Sequence, residues 1–313
     1  MHKMKKIIYV CNNKMAFPTL QQLQNDGVLS ALVTTDMHDD VVAQARAFSS
    51  QYGRPLHILA HSRFKEQLKQ ILDDGQPDAV IVMTFPWRIP AALLAMPRLG
   101  FFNIHPGKLP EMRGADPVFE CIRRQMPEAG CTIHVMTDEI DKGTIVAQQY
   151  VPVTPELTHG MLCGRMAYLA AQLCTDLIKD IKEDRMPASL PQDESRARYW
   201  PKAGAEELRI RWDEMDLEEI AALVRSCNPV TKGIPVTING WQIGVYDVSA
   251  VNLEGDTSHL RPGTVITADM QNGLLIYCRN GKALKLEVFY SEEGVMPGYK
   301  LAFYGIGPGS VFN

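Results

Sequence analysis

Phe101-Phe102-Asn103-Ile104-His105-Pro106-Gly107-Lys108-Leu109-Pro110-Glu111-Met112-Arg113-Gly114 is the stretch on which the fold of this chain turns. Two aromatic residues open what reads as a buried strand. Polar side chains then crowd its end, and Pro and Gly stop it. Asn103 and His105 stand two positions apart, so on a strand both side chains leave from the same face. In an open sheet covered by helices, the carboxyl ends of the strands border the ligand crevice, and that face would line it. Taken alone, Asn-x-His also fits a strand-end turn whose hydrogen bonds are satisfied locally.

Upstream of this stretch, short β-branched runs alternate with helix-like spacing. Strands are expected near Ile7–Val10, Leu29–Val33, Leu56–Leu59, Ala79–Met83 and Gly100–Ile104, with helical periodicity over Thr19–Asp26, Val41–Tyr52 and Arg63–Asp73. Downstream come a short helix at Val118–Arg124, strands at Cys131–Val135 and Ile145–Tyr150, and a long helix from about Gly160 to Glu183. The pattern predicts an α/β domain with a doubly wound, mostly parallel sheet over residues 1–185. Residues 186–206 are rich in Pro, Ser and charge without apolar period and read as a linker. Residues 207–313 open with a capping box, Asp216 and Glu219, before a helix to about Cys227. Short strands follow, two of them flanking Asn239-Gly240, a strong hairpin signal, and they suggest a small C-terminal barrel.

Composition narrows the function. The 313 residues, 46% hydrophobic and 22% charged, bury a large core without staples. No apolar run approaches the roughly 20 residues of a membrane helix, so no membrane partner is expected. The charged start followed by Ile7–Val10 is too short an apolar run for an export signal. Seven scattered cysteines without a C-x-x-C pair suit reduced thiols in a cytoplasm, and no metal-ligand spacing is visible. Residues 207–313 carry 9 Lys and Arg against 13 Asp and Glu, a poor balance for gripping a polyanion. The first strand ends in Cys11-Asn12-Asn13-Lys14-Met15, which offers no glycine-rich turn for a dinucleotide, and no P-loop for ATP occurs anywhere.

A second segment gives the first its meaning. Gly130-Cys131-Thr132-Ile133-His134-Val135-Met136-Thr137-Asp138-Glu139-Ile140-Asp141-Lys142-Gly143 is a strand running into an acidic loop. Together the two segments closely resemble the folate-dependent formyltransferases, which include glycinamide ribonucleotide, methionyl-tRNA and sugar-nucleotide N-formyltransferases. That family shows Asn-x-His before a Leu-Pro-x-x-Arg-Gly-like loop, then a Gly-x-Thr strand leading to Asp-x-Gly. The matching residues are Asn103, His105, Leu109-Pro110, Arg113-Gly114, Gly130, Thr132, Asp141 and Gly143. Ala197–Lys202, Ile210–Trp212 and Val224–Pro229 resemble the junction and start of the OB-like C-terminal barrel found in methionyl-tRNA formyltransferase.

The resemblance implies 10-formyltetrahydrofolate as co-substrate and catalytic roles for Asn103, His105 and Asp141. Chemistry supplies a reason for these residue types. An amine attacking the formyl carbon creates an oxyanion that needs aimed donors, met by Asn103 and a protonated His105, while Asp141 relays a proton. The resemblance also implies that the pterin is held by Trp87, Arg88, Ile89 and Pro90 and by Thr137, Asp138, Glu139 and Ile140. Trp87 reads more readily as a core or lid aromatic than as a residue stacked on the pterin. Pro106, Gly107, Lys108, Arg113 and His134 are expected on the acceptor side, with a satisfied core histidine as the other reading of His134.

In the tRNA-specific members a basic insertion follows the second strand. Here the corresponding stretch, Thr34 to Asp40, is short and acidic. The sequence therefore favours a small amine acceptor, such as an amino sugar on a nucleotide, over methionyl-tRNA. A 10-formyltetrahydrofolate hydrolase would need the same three residues and is a further alternative.

Overall fold

A computed structural model describes residues 4–313 apart from Val230, Gly255, Asp256 and Ser258. The chain divides into two compact units. One comprises residues up to Pro117, Ala129–Val151 and Cys163–Trp200, and the other Val118–Glu128, Pro152–Leu162 and Pro201–Asn313.

The first unit follows the expected alternation. Its elements run β1 (Ile7–Cys11), α1 (Phe17–Asn25), β2 (Leu29–Thr35), α2 (Asp39–Tyr52), β3 (Leu56–Leu59), α3 (Phe64–Gly75), β4 (Ala79–Met83), α4 (Ala91–Leu94) and β5 (Phe101–His105). Along the chain the short β6 (Arg113–Gly114), α5 (Pro117–Arg123), β7 (Glu128–Val135), β8 (Ile145–Pro152), α6 (His159–Lys182) and β9 (Tyr199–Trp200) come next, with nearly all of α5 and the first residues of α6 counted in the second unit. The sheet order is β3-β2-β1-β4-β5-β7-β8, so the winding reverses between β1 and β4. The pairs from β3 to β5 are parallel. Every residue of β1 and β4 is buried, as expected for strands with both faces covered. Ile8, Val10, Val80, Val82, Leu68 and Phe101 form the core of one face, each fully buried aliphatic side chain contributing roughly 1.5–3 kcal/mol.

Residues 186–206 are attached to this unit through their backbone. Leu190 bridges to Ile145, and β9 pairs in parallel with β6, Arg113 beside Tyr199 and Gly114 beside Trp200.

In the second unit, α7 (Leu217–Cys227) begins with both hydrogen bonds of the expected capping box, from Glu219 N to Asp216 and from Asp216 N to Glu219. The strands are β10 (Ile234–Ile238), β11 (Trp241–Asn252), β12 (Val265–Asp269), β13 (Gly273–Cys278), β14 (Lys282–Ser291) and β15 (Gly294–Pro297). Antiparallel pairing gives the order β10-β11-β14-β13-β12, with β15 on β14. Val311 and Phe312 bridge Thr264 and Ile238, so the last residues close the sheet towards a barrel. The hairpin turn has Asn239 at φ 46° and Gly240 at φ 83°, the two positive values this turn needs. Trp212, Ile220, Leu223, Val236, Phe289 and Phe312 fill its core. Among the described residues, no helix is long and apolar enough to cross a membrane.

Candidate active site

The site grows out of one register. β5 and β7 run antiparallel, with Asn103 opposite His134 and His105 opposite Thr132. Strand alternation then places all four side chains on one face of the sheet.

His105 is 4% exposed. Its Nε2 lies 2.7 Å from the Met112 carbonyl oxygen, which can only accept, so Nε2 carries a proton. Nδ1 therefore faces Asp141, whose Oδ1 is 3.6 Å away, and a proton placed on Nδ1 would be held by the carboxylate. His134 has the opposite tautomer. Its Nδ1 donates to the Val135 carbonyl at 3.0 Å, so in the neutral ring Nε2 accepts from the Asn103 amide at 3.1 Å. That contact turns the Asn103 amide so that its second N–H is unclaimed among the described residues. His134 Nε2 is also 3.7 Å from Asp141 Oδ1, which links the three polar groups around one point.

Asp141 is 8% exposed and has a left-handed backbone, φ 56°. Its Oδ2 accepts the Gly114 N–H at 3.0 Å. Burial opposes the charge, yet the nearby His105, the hydrogen bond from the Gly114 backbone and the close approach of His134 more than offset it. The carboxyl is held down at about 2.

Gly143 and Gly107 are among the glycines of the quoted segments that have a steric reason. A Cβ on Gly143 would lie 1.6 Å from the Val135 carbonyl oxygen, and one on Gly107 would lie 2.6 Å from His105 Nε2. The chain passes too close at both points for any side chain. Thr132 ties the strand to the loop after His105, donating to the Gly107 carbonyl at 2.7 Å and accepting from Gln148 at 2.7 Å.

The two loops expected around a pterin lie side by side, joined by Arg88 and Asp138 at 3.9 Å. Ile89 is buried, Trp87 and Pro90 are half-buried, and Thr137, Asp138, Glu139 and Ile140 are exposed. Trp87 belongs to an aromatic cluster, with ring centroids 5.0 Å from Phe64, 5.1 Å from His61 and 5.3 Å from Phe85. Pro106 and Lys108 are half-buried, and the Lys108 ammonium sits 5.0 Å from the centre of the Tyr150 ring.

Arg113 does not reach an open acceptor side. It is 5% exposed, and its guanidinium is held by Gln192 Oε1 at 2.7 Å and Glu194 Oε1 at 2.6 Å. Gln192 and the Met112 carbonyl escape a reading of sequence alone. A lone glutamine in a polar stretch looks the same whether bound or solvated, and a main-chain acceptor leaves no side-chain signal. Among the described residues, no group of three or more His, Cys, Asp or Glu is arranged to hold a metal ion.

A family model described as formyl transferase matches residues 4–178. The methionyl-tRNA formyltransferase of Carboxydothermus hydrogenoformans is 31% identical over 221 residues, which is 71% of this chain and 70% of that protein. That of Geobacillus thermodenitrificans is 27% identical over 290 residues, 90% of this chain and 88% of that protein. Among solved structures, HypX from Aquifex aeolicus in complex with tetrahydrofolic acid superposes with a TM-score of 0.66 at 16% identity, covering 96% of this chain and 47% of HypX. The sugar 3N-formyl transferase WlaRD, solved with dTDP and 5-N-formyl-THF, gives a TM-score of 0.65 at 16% identity, covering 90% of this chain and 97% of WlaRD. These structural likenesses speak for the fold, which is the formyltransferase sheet followed by a β-rich C-terminal unit. With more than half its length matched and relatives above 30% identity along most of it, the chain belongs to the formyl transferase family.

Proposed function

We propose that this protein transfers the formyl group of 10-formyltetrahydrofolate to a primary amine, and that the amine is the α-amino group of methionyl-tRNA. The observation that carries the chemistry is the meeting of Asn103, His105 and Asp141 around His134, at the carboxyl end of β5. The amine nitrogen attacks the formyl carbon, and the carbonyl electron pair moves onto oxygen. The unclaimed N–H of Asn103 is suited to receive that oxyanion. As the carbon–nitrogen bond to the folate breaks, the folate nitrogen must gain a proton and the former amine must lose one. His105 and Asp141 form a two-group relay for that exchange. The neighbouring loops Trp87–Pro90 and Thr137–Ile140, which meet at Arg88 and Asp138, would offer apolar side chains and backbone groups to a flat heterocycle with donors and acceptors on its edge.

The acceptor rests on the relatives named above, which are methionyl-tRNA formyltransferases along most of this chain. They reverse the ranking drawn from sequence, which put a small amine first. A specific observation keeps that second reading in play. β2 ends at Thr35 and α2 begins at Asp39, so only Asp36–His38 connect them, followed by the acidic first turn Asp39-Asp40. That leaves no room there for a basic loop against an acceptor arm.

Labelled 10-formyltetrahydrofolate offered with methionyl-tRNA, with an amino-sugar nucleotide, and with no amine distinguishes the readings. Label in formylmethionyl-tRNA supports the proposal, and label in the sugar alone moves the acceptor to the second reading. Release of formate without any amine would point to a hydrolase. No consumption of the folate in any mixture overturns formyl transfer altogether.

A further inference from the structure

We infer that Gln192, which lies beyond the residues matched by the family model, is a positioning residue that sets the backbone of Asp141 and thereby the direction of its carboxylate. The inference rests on the formyl-transfer reading only for what Asp141 does once it is positioned.

The geometry is a clasp. The Gln192 side-chain amide nitrogen donates to two carbonyl oxygens of the catalytic loop, that of Asp141 at 2.7 Å and that of Gly143 at 2.7 Å. Its oxygen accepts from both Nε and a terminal nitrogen of Arg113, at 3.1 and 2.7 Å. Each polar atom of the amide is thus engaged, in an orientation that only an amide supplies, since Arg113 has donors alone and the two carbonyls accept alone. Arg113 is locked in turn by Glu194, at 3.0 and 2.6 Å. The next residue, Gly114, gives its N–H to Asp141 Oδ2, and Gly114 is itself held in place by pairing with Trp200.

The loop needs such a tie. Asp141 is a non-glycine residue with φ 56°, a conformation that persists only where the surroundings over-determine it. Its carboxylate is fixed from one side by Gly114, and its own carbonyl is fixed from the other by Gln192. Between them the loop has no freedom to turn the carboxylate away from His105. Gly143 lies so close to Val135 that the loop has little slack on its far side either.

The test compares Gln192→Ala and Gln192→Glu, each in the natural background and with Asp141→Asn. Glutamate keeps the shape and the partner for Arg113 but sets an oxygen against two carbonyls. If Gln192 acts by positioning Asp141, both single variants lower kcat roughly 10- to 100-fold, with Gln192→Glu at least as slow as Gln192→Ala. In the Asp141→Asn background the same changes then alter kcat by less than about twofold, because the group they position is already gone. The Asp141 carboxyl, followed by carbon NMR, titrates at higher pH in both single variants than in the natural protein.

A glutamate variant with natural kcat and an unmoved Asp141 titration would overturn the inference, as would a loss that carries undiminished into the Asp141→Asn background. Either result would reduce Gln192 to a structural tie of Arg113. Should Gln192→Ala not fold, the near-isosteric Gln192→Glu carries the same comparison. If the natural protein transfers formyl to neither acceptor, the formyl-transfer reading fails, while the Asp141 titration in Gln192→Glu still decides the positioning role.

Discussion

Replacing Asp141 with asparagine tests the electrostatics of the site in a way that activity alone cannot. The carboxyl is held at about 2 against an ordinary 3.8, although burial by itself would raise it. The charged form is therefore favoured in the folded chain, and at about 1.4 kcal/mol per tenfold change in proton affinity this amounts to about 2 kcal/mol. A depressed folded-state value means that the unfolded chain binds the proton first as pH falls. The stabilisation is thus complete well above pH 3.8, shrinks as the pH passes below it, and is gone below about 2. Asparagine removes the charge but keeps an oxygen that can accept from Gly114. The variant should be less stable than the natural protein by up to about 2 kcal/mol at pH 7, and the gap should close on acidification. Urea unfolding of both proteins at pH 7, 5, 3.5 and 2.5, read through the signal of the first unit, gives that gap directly, and acid effects common to both cancel. A gap that stays constant over this range, or an asparagine variant more stable at neutral pH, would refute the account of how His105, His134 and Gly114 hold the carboxylate.

Asn103→Ala should lower kcat by roughly 10²- to 10³-fold while the KM for folate moves by less than about threefold, as expected from deleting one aimed donor; steady-state kinetics with saturating amine check it. Gly143→Ala must push a methyl group into the Val135 carbonyl, so its thermal midpoint should fall, by the equivalent of roughly 1–3 kcal/mol, and turnover should drop with it. If methionyl-tRNA is the acceptor, its Kd should weaken steeply between 50 and 200 mM salt in a filter-binding titration, whereas an amino-sugar nucleotide should show a shallow dependence.

Much of this architecture can be read from residue order because it depends on short-range rules. The alternation of β-branched runs with helical spacing gives the sheet, Asp216 and Glu219 give the start of α7, and Asn239-Gly240 gives the hairpin. Asn103 and His105 share a face because strand period requires it. What residue order withholds is pairing. Alternation says that His134 lies on the same face as Thr132, but only the β5–β7 register puts it opposite Asn103. Arg113 reads as a free cation near the acceptor, because Glu194, the residue that claims it, is 81 positions away in a stretch without pattern. The strand Gly294–Pro297 is hidden for a related reason: its few residues follow Ser291-Glu292-Glu293 and end in proline, a composition that also describes a loop.

The attachment of residues 190–200 to the loop at Asp141 and Gly143 also bears on how the protein is made. Gln192 follows Asp141 by 51 positions, so a ribosome moving at about 5–20 residues per second delivers it roughly 3–10 s later. By then all seven strands of the large sheet have been synthesised, since β8 ends at Pro152. A nascent chain therefore passes through an interval in which every strand of the sheet exists and the Asp141 carbonyl still lacks its bond to Gln192. A chain stalled or cleaved within that interval would keep the sheet without a finished site.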